Sequence, residues 1–352
     1  MSRRPHLDWL RGVAVLIMIE GHTLDSWTRI SDRQLPAYQW SVVLAGFGAP
    51  LFLFLAGITL MLAAGGRLRK GTARSEVTRA AFRRGAWILA LAFLFRLQSF
   101  LISGGEFPRS LLKVDILNVM GVSMLIGAVG WMAVRTSSAR AALFILLTVA
   151  AAMLTPLVRQ SALLSGLPDP LEGYLVPLRG LTNFALFPWA GFLTAGCAVG
   201  TWLDAYSSGK DEGRLPIRLA IGGAVVGTAG YLCSLLPPLY PESDFWTSSP
   251  TFFFIRLGLL LLGLTAADVL SRFWRAAPLQ QFGRASLFVY WVHVEMVYGV
   301  LSAPIHRRLP FTLAVIACAF FSVAMYGLVR LKERAKGSGF GQFDITRFRL
   351  AR

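Results

Sequence analysis

Cysteine, histidine and charged side chains are scarce in this chain of 352 residues, which has 3 cysteines and 4 histidines. Cys197, Cys233 and Cys318 all fall in apolar stretches and form no CxxC pair or other ligand spacing. We therefore predict neither a disulfide framework nor a metal site. Only 15% of the residues are charged, whereas a soluble domain carries about 25%. The low charge content argues against a soluble protein.

Apolar residues make up 55% of the chain and fall into blocks of about 20 residues. A helix of that length crosses the ~30 Å hydrocarbon core of a bilayer. The sequence thus predicts an all-α, polytopic transmembrane helical bundle with about ten spans. The predicted spans are roughly 8–28, 41–64, 82–102, 116–134, 141–158, 181–203, 217–236, 251–270, 284–302 and 311–330.

The basic residues are distributed unevenly between the two sides of these spans. If the N-terminus is cytoplasmic, 23 of the 35 Lys and Arg residues lie on the cytoplasmic side, 8 lie outside and 4 lie within spans. This asymmetry is typical of the positive-inside rule, so we predict that both termini are cytoplasmic. The net charge of +17 is then explained by topology, and a nucleic-acid partner is not predicted.

The loops are too short to hold a soluble domain. We predict one transmembrane domain over residues 1–336 and a basic cytoplasmic tail over 337–352 that can touch anionic lipid. The first span is too long and too charged for a cleavable signal peptide. The loop 159–180 is rich in Pro and Gly, which leaves two interpretations open, a lid or rim and a passive connector.

Polar side chains recur at similar depth in several spans. Ionisable groups in hydrocarbon are costly, and they usually mark a cavity or a functional pathway. The topology predicts an enclosed polar cavity that opens toward the outside. Its predicted residues are His22, Asp25, Arg96, Lys113, Asp115, Asn118, Asn183, Arg256 and His293.

The first span carries a polar stripe. At 100° per residue, Arg11 and His22 share one face of a helix and lie roughly 16 Å apart along its axis. Val15, Met18 and Asp25 continue the same stripe. A helix that only fills space would not be expected to carry such a face from the cytoplasmic edge to the outer half of the membrane.

The ninth span contains two further ionisable residues, His293 and Glu295. At helical spacing they point to nearly opposite sides, and Glu295 shares a face with Arg284. We expect at least one of the two to be structural. A lone histidine in a membrane helix is more often a packing residue than a catalyst, but His22 has polar neighbours at its own depth.

Three segments, "LDWLRGVAVLIMIEGH", "GAPLFLFLAGITL" and "FGRASLFVYWVHVE", resemble the bacterial relatives of heparan-alpha-glucosaminide N-acetyltransferase. The spacing from Arg11 to His22 is also similar to the Arg-x10-His pattern of the acyltransferase-3 group. The resemblance runs from residue 7 to about residue 300. It implies a membrane enzyme of ten or so helices that moves an acetyl group from cytoplasmic acyl-CoA to a sugar or glycan on the other face.

The resemblance also implies roles for particular residues. His22 would be the active-site histidine, and His293 would match a late-helix histidine of the lysosomal enzyme. Lysosomal members have Asn where this chain has His22 and a long lumenal N-terminal extension that this sequence does not show, so the identity of the acceptor stays open.

Acyl transfer from a thioester needs a base for the acceptor, and histidine suits this role near neutral pH. We expect His22 to be the base, Asp25 to orient its imidazole, and Arg96 or Asn118 to stabilise the oxyanion. Direct transfer is favoured because no Ser or Cys elbow is visible, with an acyl-histidine intermediate as the alternative. The acyl-CoA donor, acetyl-CoA, needs cations for its phosphates. Those predicted are Arg11, Arg67, Arg69, Lys70, Arg83 and Arg84.

Two other classes of function stay open. One is a proton-coupled secondary transporter or flippase that uses the same His, Asp and Glu residues, although no internal repeat is visible. The other is a non-catalytic sensor or assembly factor. We expect a multi-pass protein of a bacterial inner membrane whose partners are acyl-CoA, a cell-envelope glycan and membrane lipid. Homodimer formation is left open.

Overall fold

The computed structural model describes residues 4–206, 215–274 and 276–337. These residues form long helices, and their only β pairing is two isolated bridges, Thr28 with Leu309 and Val114 with Thr182. The helices are α1 (Pro5–Trp27), α2 (Pro36–Ala45), α3 (Gly48–Arg69), α4 (Arg74–Ser103), α5 (Ile116–Ala133), α6 (Ser137–Gln160), α7 (Asp169–Leu175), α8 (Leu186–Tyr206), α9 (Leu215–Ser234), α10 (Pro250–Phe273), α11 (Ala277–Arg284), α12 (Ser286–Tyr298) and α13 (Phe311–Gly337).

Eight of the described stretches are long and apolar enough to cross a membrane. They are α2 with α3, then α4, α5, α6, α8, α9, α10 and α13. The predicted all-α, multi-pass membrane protein is therefore confirmed. Ten spans and cytoplasmic termini stay predictions, and the predicted tail lies outside the described residues from position 338 onward.

The ends of several helices follow from local sequence. Ser249 precedes α10, and its Oγ accepts a hydrogen bond from the backbone N–H of Thr251 at 3.2 Å. Thr136 caps α6 in the same way. Such hydroxyls satisfy backbone donors that have no partner in the first turn of a helix. At the other end of α4, Gly104 has φ of 71°, a conformation that favours glycine and stops the helix.

The chain divides into two units. The described residues of Met1–Leu7 and Gly46–Arg275 form the large unit, and those of Asp8–Ala45 and Ala276–Arg352 form the small unit. The large unit thus contains α3 to α10, and the small unit contains most of α1 together with α2 and α11 to α13.

Glycines allow α3 and α8 of the large unit to pack closely. A methyl group added to Gly57 would collide with the backbone carbonyl of Leu193, and one added to Gly196 would collide with that of Phe54. Small residues at such crossings are typical of membrane helices, whose association depends on close backbone packing. A buried hydrogen bond of 2.9 Å between the hydroxyls of Thr148 and Thr194 joins α6 to α8.

The small unit is built around α1. Glycines allow close contact with α11, because side chains at Gly12 and Gly283 would collide with the carbonyls of Leu279 and Asp8 respectively. Farther along, α1 is a continuous helix to Trp27, so the predicted stripe from Arg11 to His22 keeps its helical phase.

The predicted ninth span is not one helix. Ala285, whose φ and ψ are −98° and 10°, separates Arg284 at the end of α11 from α12, and α12 ends at Tyr298 before a 3-10 turn over Val300–Ser302. The predicted shared face of Arg284 and Glu295 assumed an unbroken helix, so that part of the prediction was wrong. Arg284 instead donates to Glu333 of α13 at 3.4 Å.

Candidate active site

The small unit brings two of its histidines into direct contact. His22 Nδ1 lies 2.8 Å from His293 Nε2. The ring planes differ by 4° and the ring centroids are 5.1 Å apart, so the two rings lie side by side with the bonded nitrogens between them. The His293 side chain is fully buried. Two histidines that are 271 residues apart in sequence, one on α1 and one on α12, therefore form one hydrogen-bonded pair.

The hydrogen-bond partners of His293 indicate which of the two histidines donates to the other. His293 Nδ1 lies 2.7 Å from the backbone carbonyl of Val289, which can only accept. Nδ1 of a neutral His293 therefore carries the proton, and its Nε2 carries a lone pair. Because that lone pair faces His22, the His22 Nδ1 is the donor between the rings. The remaining nitrogen of His22, Nε2, then holds an unprotonated lone pair.

An exposed acidic group lies next to this pair. The Tyr298 hydroxyl donates to Asp25 Oδ2 at 3.0 Å, and the edge of the Tyr298 ring contacts the His22 ring, with 5.6 Å between centroids. Arg33 Nη1 donates to Asp25 Oδ1 at 3.5 Å, and Arg33 also bonds the Asp25 carbonyl. Asp25 thus bonds Tyr298 and Arg33 rather than His22, and it reaches the imidazole through the tyrosine ring.

Hydrogen bonds at the end of α1 hold the histidine pair in place. Ser26 Oγ donates to the carbonyl of Val297 in α12 at 2.8 Å and contacts His306 Nδ1 at 3.2 Å. One residue later, Trp27 Nε1 donates to Ser302 Oγ at 3.1 Å. These polar contacts fix α1 against α12 close to His22. The backbone that carries the imidazole pair is therefore held in place by hydrogen bonds.

The remaining stripe of α1 is mostly apolar and buried. Val15 is fully buried and Met18 is 8% exposed. At the beginning of the helix, Arg11 Nη1 contacts Asp8 Oδ1 at 3.3 Å. The Glu20 carboxylate has a buried oxygen, Oε2, with no hydrogen-bond partner among the described residues.

Two other predicted site residues, Arg96 and Asn118, belong to the large unit. Arg96 forms an ion pair with Asp115, and Asp115 also accepts from Asn183 Nδ2 at 2.6 Å. Asn118 Oδ1 accepts from the backbone N–H of Asp115 at 3.0 Å, and its Nδ2 donates to the Tyr174 hydroxyl at 3.1 Å. These contacts favour a structural role for both residues. Their role as oxyanion donors stays a prediction.

The cations predicted to bind CoA phosphates lie at the end of α3 and in the first turns of α4. Arg69 bonds Asp204 Oδ1 at 2.6 Å. Arg74, in the same segment, donates to the carbonyls of Trp131 and Val134 at 2.5 and 2.8 Å, which is a structural use. Four predicted cations are exposed and keep their charge available to a ligand: Arg67, Lys70, Arg83 and Arg84.

Sequence reasoning missed Tyr298 and Tyr174. Tyr298 is five residues after His293, which places it off the face of that histidine in a regular helix, and no spacing rule would have selected it. Tyr174 lies in a loop helix. The bond between Asp115 and Asn118 could have been found, because a capping residue followed three positions later by an amide is a known helix-start signal.

Comparison with known proteins gives one family. The model of the family described as heparan-alpha-glucosaminide N-acetyltransferase, catalytic, matches residues 3–228, which is more than half of the chain. The matched region includes His22 and Asp25, while His293 lies beyond it. No curated protein matches the sequence.

Proposed function

This chain belongs to the heparan-alpha-glucosaminide N-acetyltransferase catalytic family, and we propose that, as a membrane acetyltransferase of that family, it uses acetyl-CoA from the cytoplasm. The acceptor is an amine or hydroxyl of a cell-envelope sugar or glycan on the outer face of a bacterial inner membrane. His22 is the general base. The observation that carries this proposal is the directed hydrogen bond from His22 Nδ1 to His293 Nε2, because it leaves His22 Nε2 with a lone pair.

The proton balance of the reaction fits a single imidazole base. The acceptor O–H or neutral N–H attacks the thioester carbonyl, and its proton passes to His22 Nε2. The resulting tetrahedral intermediate expels the CoA thiolate, which takes the proton back. While His22 is an imidazolium, it still donates through Nδ1 to His293, so the positive charge is stabilised without a further proton transfer. An acyl-histidine intermediate on the same Nε2 is the alternative.

Asp25 supports the same charge from a distance. Its carboxylate bonds the Tyr298 hydroxyl, and the Tyr298 ring lies against His22. A carboxylate near a developing imidazolium lowers the energy of the charged form. Because the Asp25 side chain is 56% exposed, water screens much of this interaction. Asp25 therefore assists His22 as a positioning residue and does not touch the acceptor proton.

The donor reaches His22 along α1. Arg11 binds a CoA phosphate at the cytoplasmic mouth, and the pantetheine arm follows Val15 and Met18 over roughly 16 Å to His22. Such a path is needed because a cytoplasmic thioester and an outer acceptor are separated by ~30 Å of hydrocarbon.

Met18→Trp should block acetyl transfer while CoA binding persists. Arg11→Ala should weaken CoA binding by about 1.5–3 kcal/mol. Unchanged CoA affinity in Arg11→Ala together with full activity in Met18→Trp would remove α1 from the donor path.

The function is tested by giving purified protein labelled acetyl-CoA and a panel of amino sugars and envelope glycans. We expect label in an acceptor and release of free CoA in equal amounts. Protein-free detergent is the blank. Reconstituted vesicles tested without acetyl-CoA address the transporter alternative. Proton uptake driven by a sugar gradient, with no label transferred to any acceptor, would contradict the proposed function.

The proposed sides of the membrane have their own test. Lys70→Cys should be shielded from an impermeant thiol reagent in intact cells and labelled after permeabilisation. Thr247→Cys, in the predicted outer loop, should show the opposite pattern. Labelling of position 70 from outside would reverse the proposed orientation.

A further inference from the structure

A second polar site lies in the large unit. A cavity of about 460 Å³ is formed by the end of α4, the loop before α5 and the loop before α8. Its polar lining includes the side chains of Arg96, Glu106, Arg109, Ser110, Lys113 and Arg179. The cavity is large enough for a charged group together with part of the molecule that carries it.

The charges around this cavity are unbalanced. Arg96 is neutralised by its ion pair with Asp115. The other cations of the lining, Arg109, Lys113 and Arg179, face only one lining carboxylate, that of Glu106. The cavity therefore carries an excess of about two positive charges, which suits an anionic ligand group.

Hydrogen bonds hold together the two loops that carry these cations. The backbone N–H of Val114 donates to the carbonyl of Leu181 at 2.8 Å, and the N–H of Asn183 donates to the carbonyl of Val114 at 2.9 Å. Arg109 Nη2 donates to the carbonyl of Arg179 at 3.0 Å. These bonds join the two loops that carry the cations. The loop 159–180, for which a rim or a passive connector was predicted, thus contributes to the rim of the cavity.

The position of these cations is unusual for a membrane protein. Arg109, Lys113 and Arg179 are three of the eight basic residues in segments predicted to lie outside. Lys and Arg are depleted in short outer loops because they oppose the normal topology. Three of them around one cavity, from two separate loops, indicate selection for a ligand rather than for membrane orientation.

We propose that this cavity, named here the anion pocket, binds a phosphate or sulfate ester, as carried by an envelope sugar or a lipid headgroup. Arg109 and Arg179 offer planar guanidinium groups that match the oxygens of such an ester, and Lys113 adds a point charge. Ser110 offers a hydroxyl to the same group. This assignment does not rest on the proposed acetyl transfer.

The state of Lys113 supports this assignment. Burial and the neighbouring Arg96 lower the pKa of the Lys113 ammonium from its ordinary value. A bound anion would offset both effects, since it replaces lost hydration and opposes the field of Arg96. We therefore expect binding to be accompanied by proton uptake at alkaline pH.

The test is equilibrium binding to the full-length protein in detergent. The probes are glucosamine 6-sulfate, glucosamine 6-phosphate and uncharged N-acetylglucosamine. We expect the two esters to bind and the neutral sugar to bind at least about tenfold more weakly. Lys113→Gln and Arg179→Gln should each raise the Kd of the esters about tenfold to a hundredfold, the range for a charge-assisted hydrogen bond. Thermal melting of each variant verifies that it is folded.

Arg308→Gln is the matched control, because Arg308 is an exposed arginine of another predicted outer segment and its Nη1 bonds only a backbone carbonyl. Its ester affinity should equal that of the wild type. Nanodiscs of phosphatidylcholine with and without phosphatidylglycerol distinguish the two possible carriers of the ester, a lipid headgroup and an envelope sugar. Competition by the anionic lipid assigns the pocket to a headgroup, and its absence assigns it to a sugar ester. Equal binding of esters and neutral sugar, or equal losses in Arg308→Gln and Lys113→Gln, would overturn the proposal.

Discussion

Two clusters of polar side chains lie on helices of this protein, and their hydrogen bonds differ in kind. In the small unit, His22 and His293 form a chain that begins at a backbone carbonyl and ends at an unprotonated nitrogen. In the large unit, Arg96 is paired with Asp115, and Asn118 is bonded at both its oxygen and its nitrogen. The first cluster keeps one atom available for a reaction, whereas the second uses its polar atoms to hold helices and loops together.

Burial of a polar group among helices therefore does not by itself separate a candidate catalytic group from a structural one. Both clusters satisfy the rule that buried polar groups need partners. The useful distinction is whether the hydrogen bonds within a cluster leave one lone pair or one proton without a partner among the described residues. By this criterion His22 is the proposed base, and Arg96 is assigned a structural role.

The largest expected effect is on chemistry. His22→Ala should reduce acetyl transfer by about 10²–10⁴-fold, the range for removing a general base. His6→Gln is the matched control, because His6 Nδ1 contacts Asp268 in the large unit at 3.2 Å and has no role in the proposed reaction. Turnover by each purified variant gives the comparison. Wild-type turnover in His22→Ala would show that the base lies elsewhere.

The second effect is on stability. Arg96→Met should lower the free energy of unfolding by about 3 kcal/mol, because it leaves the Asp115 carboxylate buried without its cation. Arg272→Met removes the cation of an ion pair with Asp268 in which the Arg272 side chain is 63% exposed, and it should cost less than about 1 kcal/mol. Thermal melting in detergent measures both. The turnover of the folded Arg96→Met protein should stay close to that of the wild type. A loss of turnover as large as that of His22→Ala would show that Arg96 takes part in the reaction.

The third effect tests the direction of the hydrogen bond between His22 and His293. His293→Ala should slow transfer about 10–100-fold, as do losses of partners that orient other functional imidazoles. His293→Gln can still accept the His22 Nδ1 proton through its amide oxygen, so it should recover most of the rate. His6→Gln, in the large unit, serves again as the histidine control. Equal rates for the Ala and Gln variants would show that His293 only fills space.

The smallest expected effect concerns Asp25. Asp25→Asn keeps an oxygen that accepts from Tyr298 and loses only a screened charge, so transfer should fall about two- to fivefold. Tyr298→Phe removes the same hydrogen bond from the other side and should have a similar effect. Steady-state turnover of the two single variants and the double variant measures their coupling. A loss of several orders of magnitude in Asp25→Asn would instead favour direct orientation of His22, which the sequence alone had predicted.

Much of the architecture could be predicted because membrane helices depend on length and hydropathy. The apolar blocks mark the helices well, and the phase of α1 from Arg11 to His22 is correct because that helix is unbroken. The break at Ala285 lies between Arg284 and Ser286, at the polar start of the predicted ninth span. Helical phase counted across that residue therefore compared Arg284 and Glu295 as members of one helix, whereas they lie in α11 and α12.

The site could be predicted only in part. The spacing of Arg11 and His22 and the predicted depth of His293 singled out two histidines that lie in contact in the structure, but their mutual hydrogen bond depends on how α1 packs against α12. The same limitation applies to Asp25. Its position one turn after His22 suggested a partner for the imidazole, whereas the fold places Tyr298 and Arg33 within reach of the carboxylate.

The most direct test of the account is the tautomer of His22, measured by NMR on protein labelled with 15N-histidine. Chemical shifts and N–H couplings distinguish a proton on Nδ1 from one on Nε2, and His22→Gln and His293→Gln assign the two signals. At neutral pH the account predicts that both imidazoles are neutral with the proton on Nδ1, so that His22 Nε2 is unprotonated. A proton on Nε2 of His22 would contradict its role as the base in acetyl transfer.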